Sequence, residues 1–80
     1  MIADLHADGE WNAGDLGCGP LVLELRGRLR AMPGRVLKVT ALDPGAPEDL
    51  PAWCRITNNE LLRYERHSRC FWIRSRLEWN

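Results

Sequence analysis

The sequence lacks any apolar run that approaches the roughly 20 residues of a membrane-spanning helix. Its first ten residues, MIADLHADGE, also lack the basic and then apolar pattern of a secretory signal. Cysteine is scarce, and three cysteines are an odd number that argues against a framework of disulfides and for a reducing compartment. We therefore expect a cytoplasmic protein that has no membrane partner.

Motifs of several large enzyme and cofactor-binding classes are missing as well. There is no glycine-rich phosphate loop, and there is no Ser, His and Asp set of the kind that hydrolases use. The three cysteines and two histidines are scattered rather than grouped at the spacings of zinc ligands. We expect the protein to bind neither a metal ion nor an organic cofactor.

The size and composition of the chain are those of one small globular unit. No repeat or low-complexity tract occurs in the 80 residues, and 45% of them are hydrophobic, which is enough for one modest core. The sequence therefore predicts a single domain over residues 1–80, in which residues 1–8 form a flexible tail.

Residues 15–21, with the sequence DLGCGPL, lead directly into apolar residues that recur at three- and four-residue spacings. These apolar residues are Leu21, Val22, Leu25, Leu29 and Met32. The spacing predicts a helix with one buried face over residues 19–32.

Cys18 is the residue in this stretch that offers chemistry. Pro20 suits the first turn of a helix, where backbone N–H groups have no partner within the helix. With Gly17 and Gly19 supporting the same turn, Cys18 should lie at or beside the N-cap, where the helix dipole favours a thiolate over a thiol. An ionised thiol needs no general base, and the sequence offers none nearby.

Periodicity along the whole chain predicts six elements in the order strand, helix, strand, helix, strand, strand. The strands cover about residues 9–13, 35–42, 60–66 and 70–77, the helices cover residues 19–32 and 47–57, and a turn at residues 67–69 joins the last two strands. A strand that returns through a helix forms a parallel pair, and the terminal hairpin adds antiparallel strands. We therefore predict an α/β (α+β) fold, a two-layer βαβαββ sandwich whose mixed four-stranded sheet carries two helices on one face.

Side-chain patterns within these elements give further expectations. Cys54 lies among apolar positions of the second helix and is expected to be a buried small hydrophobe. In the last strand, Phe71, Ile73 and Leu77 are expected to share one face, with Trp72 on the other.

Formal net charge is zero, but the charges occur in blocks. Residues 1–17 hold four acids and no Lys or Arg, whereas residues 18–40 hold five basic residues against Glu24 alone. Three basic residues on the first predicted helix are candidates for binding an acidic protein or a tRNA: Arg26, Arg28 and Arg30. An ordinary solvated helix face has the same pattern, so both interpretations stay open. Zero net charge argues against avid nucleic-acid binding, which we expect to be indirect at most.

The order of these features resembles the TusA/SirA-like sulfur carriers. Members of that family have a Leu-x-Cys-Pro-x-Pro motif that opens the first helix of a βαβαββ sandwich, and Leu16-Gly17-Cys18-Gly19-Pro20-Leu21 occupies that place here. Further landmarks follow in the family's order: Pro33-Gly34, Asp43-Pro44-Gly45, Asp49-Leu50-Pro51-Ala52-Trp53-Cys54 and Asn59-Glu60-Leu61-Leu62. The resemblance covers residues 9–77.

The resemblance implies a bacterial, sulfurtransferase-like carrier. In such a protein, Cys18 accepts sulfane sulfur as a persulfide from a protein donor, which is a cysteine desulfurase, a rhodanese or another carrier. It then hands the sulfur to a protein acceptor in a sulfur relay. The pathway served stays open among tRNA thiolation, sulfur oxidation and cofactor sulfuration.

The motif departs from the family at both of its prolines, since the sequence here is Cys18-Gly19-Pro20-Leu21. Gly19 restores a backbone N–H and loosens the loop beside the sulfur. Two functions therefore stay open. One is the sulfur carrier, and the alternative is a noncatalytic or redox-regulatory binding module on the same fold, in which Cys18 carries no sulfur.

Overall fold

The computed structural model describes residues 5–79 and confirms the predicted order of elements. The strands are β1 (Gly9–Gly14), β2 (Val36–Ala41), β3 (Glu60–Glu65) and β4 (Cys70–Arg74), and the helices are α1 (Cys18–Arg30) and α2 (Ala46–Thr57). Within residues 5–79, no helix combines the length and the apolar content needed to cross a membrane.

The four strands form one mixed sheet in the order β1-β2-β4-β3. β1 and β2 are parallel, and β4 is antiparallel to both of its neighbours, β2 and β3. This confirms the predicted parallel pair and terminal hairpin. Because β1 and β2 run in the same direction, the loops that follow them leave from the same edge of the sheet.

The core lies between one face of the sheet and the two helices. Leu21, Leu25 and Leu29 recur every four residues along α1 and are fully buried, as their spacing predicts. The remaining side chains that form this core with them are mainly Leu37, Val39, Ala41, Leu50, Cys54, Phe71 and Ile73. Each fully buried leucine contributes about 1.5–3 kcal/mol through the hydrophobic effect. The prediction that Cys54 is a buried small hydrophobe is confirmed.

The segment before β1 is partly described. Residues 1–4 of the predicted tail lie outside the described residues. Asp8, at the end of that tail, makes two contacts with Val36: its backbone N–H donates to the Val36 carbonyl across 2.8 Å, and its carboxylate accepts the Val36 N–H across 2.8 Å. The second of these bonds, followed by one from His6, holds the pKa of Asp8 below its ordinary value.

α1 ends two residues earlier than predicted, at Arg30. The reason is local, since Pro33 disfavours the helical conformation for the residue that precedes it, Met32. The Met32 N–H instead closes a tighter turn by donating to the Leu29 carbonyl across 3.0 Å. α2 ends where predicted, because Asn58 adopts the left-handed conformation that terminates helices.

The prediction for the end of β4 is wrong at Leu77. β4 ends at Arg74, and Leu77 lies beyond it with 78% of its surface exposed, whereas Phe71 and Ile73 are fully buried. The backbone of Ser75 still pairs with the chain before β2, and the pairing ends at Arg76, whose N–H donates instead to the Asn59 side-chain oxygen across 2.9 Å. Trp72 does lie on the other face of the sheet, where Lys38 and the Arg63 guanidinium approach its ring to within 5.4 and 5.6 Å of the centroid.

Candidate functional site

Cys18 lies beside the N-cap, as predicted, and is the first residue of α1, which begins one residue earlier than the predicted helix. Gly17 is the N-cap in an extended conformation and has no side chain that could cap the helix. The Leu21 N–H donates to the Gly17 carbonyl across 2.9 Å and so closes the first helical turn. The backbone N–H groups that precede this bond have no acceptor within the helix.

The residues around Cys18 leave its sulfur near the surface. Gly17, Gly19 and Pro20 are exposed, and Cys18 itself is half-buried. A Cβ atom built on Gly17 or Gly19 would meet no other atom within 4 Å. The loop is therefore open on the side of the motif where this chain departs from the family pattern.

Two carboxylates lie beside the sulfur. The Cys18 thiol donates a hydrogen bond from Sγ to Oδ2 of Asp43 across 3.2 Å, and the Gly45 N–H donates to the same oxygen across 3.0 Å. Asp49, in the first turn of α2, brings its carboxylate into the same group, in which one ligand atom from each of the three side chains lies within 4.8 Å of the others. Gly45 lies between the two acids, and a Cβ there would lie 3.1 and 3.2 Å from their oxygens, so that any larger residue would require these carboxylates to shift.

These carboxylates decide the protonation of the thiol. Hydrogen bonding to Asp49, loss of hydration and hydrogen bonding to Asp43 raise the pKa of Cys18 to about 12. Ionisation would place a third negative charge beside two others, and this repulsion outweighs the attraction of the helix N-terminus. The predicted ionised thiol is therefore wrong, and Cys18 is a protonated thiol at neutral pH. The expectation that no general base lies nearby is also wrong, because the Asp43 carboxylate touches the sulfur.

Sequence reasoning placed Asp43 and Asp49 only among family landmarks and did not bring them to the cysteine. The signal that could have found Asp43 is topological: it follows β2, Cys18 follows β1, and the ends of parallel neighbours share one edge. Asp49 lies in the first turn of α2, which begins at Ala46, shortly after Asp43.

A sulfur and two carboxylates are donors that a zinc ion accepts. In this structure the thiol proton and the Gly45 N–H both bond Oδ2 of Asp43. The other two cysteines lie elsewhere. Cys54 is in the core, where burial raises its pKa to about 11, and Cys70 is buried beside the Thr40 hydroxyl, 3.4 Å from its sulfur.

The three candidate arginines lie on the exposed side of α1. Arg28 bonds Glu24 across 2.7 Å, and its guanidinium lies 4.6 Å from the centroid of the Trp11 ring. Arg26 lies 5.9 Å from the Trp79 ring centroid. Of the three candidate arginines, Arg26 and Arg30 make no salt bridge within the described part of the chain.

Arg69 is a residue near the site that sequence analysis assigned only to a turn. Its guanidinium donates to the Leu42 carbonyl across 3.3 Å, and its own carbonyl accepts the Ala41 N–H across 3.0 Å. Its backbone has a φ of 59°, which is uncommon for a residue other than glycine. These two hydrogen bonds therefore hold the hairpin turn against residues 41 and 42, immediately before Asp43.

Comparison with known proteins gives one consistent family. The family model described as Sulfurtransferase TusA matches residues 12–75, a range that includes Cys18, Asp43 and Asp49. The sulfur carrier protein TusA of Pseudomonas syringae pv. syringae strain B728a is 35% identical over 78 residues, which cover 94% of this chain and 93% of the relative. The TusA protein of Pseudomonas entomophila strain L48 is 34% identical over 80 residues, covering 96% and 100%, and that of Pseudomonas fluorescens strain SBW25 is 32% identical over 74 residues, covering 89% of each.

Proposed function

This chain belongs to the TusA family of sulfur carrier proteins, and from that premise we propose that Cys18 carries the sulfur as a persulfide. The observation that carries the proposal is the position of Cys18 at the open start of α1, with its sulfur half-buried and within reach of another protein. A persulfide is more acidic than a thiol, and backbone N–H groups without helical acceptors reduce the cost of its negative charge beside the two carboxylates.

The chemistry of loading is an exchange at sulfur. The sulfur of Cys18 attacks the outer sulfur of a donor persulfide, the donor's S–S bond breaks, and the donor cysteine leaves as a thiol. One proton moves from Cys18 to the donor, so that a thiol and a persulfide exchange places without net oxidation. Unloading is the same reaction with an acceptor nucleophile attacking the outer sulfur of loaded Cys18.

The partners in this proposal are proteins. A cysteine desulfurase, a rhodanese or another carrier supplies the sulfur, and a second protein takes it onward in a sulfur relay. Arg26 and Arg30 present positive charge on the exposed side of α1, where they would attract an acidic docking surface. We place the exchange in the bacterial cytoplasm, where a reducing environment keeps three cysteines free, and assign it to one domain that spans the chain.

The experiment that tests the proposal is measurement of the intact mass after loading. The protein is incubated with a cysteine desulfurase and L-cysteine, and separately with inorganic tetrasulfide. We expect the mass to increase by one sulfur atom, and we expect Cys18→Ser to abolish the increase. Cys54→Ser and Cys70→Ser are matched controls that should keep it.

A second treatment separates sulfur from oxygen. Two oxygen atoms, as in a sulfinic acid, add nearly the same mass as one sulfur atom, but dithiothreitol removes only the sulfur. A mass increase that survives dithiothreitol, or the absence of any increase with both donors, would overturn the proposal.

One observation favours the alternative function. A thiol whose pKa is raised to about 12 is a poor nucleophile at neutral pH, as expected if Cys18 carried no sulfur in a noncatalytic or redox-regulatory binding module. The loading experiment separates the two functions, because the binding module predicts no dithiothreitol-sensitive sulfur on Cys18 with either donor.

A further inference from the structure

We propose that Asp43 is the proton acceptor for Cys18 during sulfur transfer, taking the thiol proton as the sulfur attacks and returning it to the donor cysteine that leaves. This inference rests on the proposed function of Cys18 as the carrier residue. It adds a second catalytic residue to the site, since Asp43 touches the reacting sulfur.

The geometry selects Asp43 for this role. Its Oδ2 atom lies 3.2 Å from Sγ of Cys18 and accepts the thiol hydrogen, which is the reach required of a general base. The same oxygen accepts the Gly45 N–H across 3.0 Å, so the carboxylate is oriented by the backbone of its own loop. Asp43 is half-buried.

Asp49 is placed differently, although its carboxylate belongs to the same group. It is exposed in the first turn of α2, and a thiol has one hydrogen, which in this arrangement is donated to Asp43. Asp49 opposes the formation of a thiolate, since its interaction with the thiol is the largest cause of the raised pKa of Cys18. The two acids thus have different roles: Asp43 receives the proton during the attack, and Asp49 makes a free thiolate unfavourable before the attack.

Each bond that breaks in this step is matched by a bond that forms. The S–H bond of Cys18 breaks toward Asp43 while a new S–S bond forms to the donor's outer sulfur. The donor's own S–S bond breaks, and its electron pair stays on the donor cysteine, which then takes the proton from Asp43. Cys18 ends as a persulfide, the donor ends as a thiol, and Asp43 ends as the carboxylate with which it began.

This arrangement also makes the unloaded carrier react selectively with a docked persulfide and not with small electrophiles or oxidants. A thiol held in its protonated form reacts slowly with small electrophiles and oxidants, which require the thiolate. Attack on a docked persulfide escapes this restriction, because the proton leaves to Asp43 during the attack. The charge of Asp43 therefore controls the reactivity of Cys18 toward alkylating reagents. Its ability to accept a proton controls the reactivity toward a persulfide.

The test compares these two reactivities in Asp43→Asn. The amide oxygen of asparagine can still accept the Gly45 N–H, but it is not a base and carries no charge. We expect iodoacetamide to alkylate Cys18 faster than in the unmodified protein, because a negative charge beside the sulfur is gone. We expect single-turnover loading from inorganic tetrasulfide or a loaded desulfurase to become slower, by about 100-fold at neutral pH, the low end of general-base contributions.

The pH profile distinguishes a base from a structural residue. Between about pH 6 and about pH 10, the loading deficit of Asp43→Asn should shrink as the thiol ionises without help, whereas a misfolded site would stay slow throughout. Asp43→Glu keeps the carboxylate and should recover part of the loading rate. Circular dichroism and urea unfolding of each variant report whether the fold is kept.

Two further variants complete the comparison. Asp49→Asn removes a charge without removing the base, so we expect both alkylation and loading to become faster. Glu48→Gln, which neutralises a neighbouring exposed acid outside the site, should change neither rate.

Loading by Asp43→Asn that equals or exceeds that of the unmodified protein at every pH would overturn the role of Asp43 while leaving the carrier function intact. If the unmodified protein itself accepts no sulfur, the proposed carrier function of Cys18 is overturned, and the proposed role of Asp43 with it. Faster alkylation together with slower loading of a folded Asp43→Asn protein supports the inference.

Discussion

The thiol of Cys18 donates a hydrogen bond to the carboxylate of Asp43, 3.2 Å away in space and 25 residues later in the chain. The contact joins the start of α1 to the loop that precedes α2, and it exists because β1 and β2 are parallel neighbours in the sheet. It makes the sulfur of this carrier a neutral thiol in its resting state, in a position where a helix terminus alone would favour an anion.

The raised pKa values of two thiols predict how stability depends on pH. The ordinary pKa of 9.0 applies to the unfolded chain, and the folded values are about 12 for Cys18 and about 11 for Cys54. Because the folded chain keeps protons that the unfolded chain releases, this contribution to stability is complete below about pH 9 and is lost as pH rises through the folded values. Urea unfolding of the unmodified protein should therefore show a free energy that falls over this range.

Cys54→Ala supplies the matched comparison for this pH dependence. The variant is less stable overall because it leaves a small cavity, but its free energy of unfolding should fall less steeply above about pH 9. Parallel curves for the two proteins would contradict a raised pKa at Cys54.

Alanine substitutions at Gly27 and Gly34 are expected to change the free energy of unfolding in opposite directions. Gly27 lies in the interior of α1, is exposed, and a Cβ there would meet no atom within 4 Å. Gly27→Ala should raise the free energy of unfolding by about 0.4–1 kcal/mol, because alanine restricts the unfolded chain and favours the helix. Urea unfolding measures the change, and a loss of stability would contradict the open surroundings of Gly27.

Gly34→Ala is the opposing case. Gly34 has a φ of 76°, a left-handed conformation that strains other residues, and a Cβ there would lie 2.7 Å from Cδ2 of Leu77. Leu77 is exposed and can move aside, so the backbone term of about 1–2 kcal/mol should dominate the loss of stability. A variant as stable as the unmodified protein in urea would show that the turn has relaxed.

Charge reversal on α1 tests the docking surface of the proposed carrier. We expect Arg26→Glu combined with Arg30→Glu to slow loading about tenfold at low salt when the donor is a protein with an acidic docking surface, because long-range attraction speeds their encounter. We expect the difference to become smaller as the salt concentration rises. Loading from inorganic tetrasulfide should stay unchanged, because that reagent needs no docking surface.

The control for this experiment reverses two arginines placed elsewhere. Arg35 precedes β2 and Arg55 lies in the last turn of α2, and both are exposed. Arg35→Glu combined with Arg55→Glu makes the same change in net charge and should affect loading much less. Equal losses in the two double variants would assign the effect to net charge and would contradict a docking role for α1.

The sequence by itself determined the order of the elements and the position of the residue on which the proposed chemistry depends. Leucines four residues apart specify the buried face of α1, Pro20 specifies its start, and a strand, helix and strand in succession specify the parallel pair. These features are predictable because each follows from residues that are close together in the chain. For the same reason, the position of Cys18 at the start of α1 was predicted correctly.

Only the tertiary structure decided the state of that cysteine. Asp43 and Asp49 are distant from Cys18 in sequence, and no local pattern reports that their carboxylates meet its sulfur. The pKa of a thiol depends on charges and hydration within a few ångströms in space, so the local rule that a helix start favours a thiolate gave the wrong sign. The exposure of Leu77 has a similar origin, because the Arg76 N–H bonds the side chain of Asn59, a residue distant in sequence, and the backbone pairing ends before Leu77 is reached.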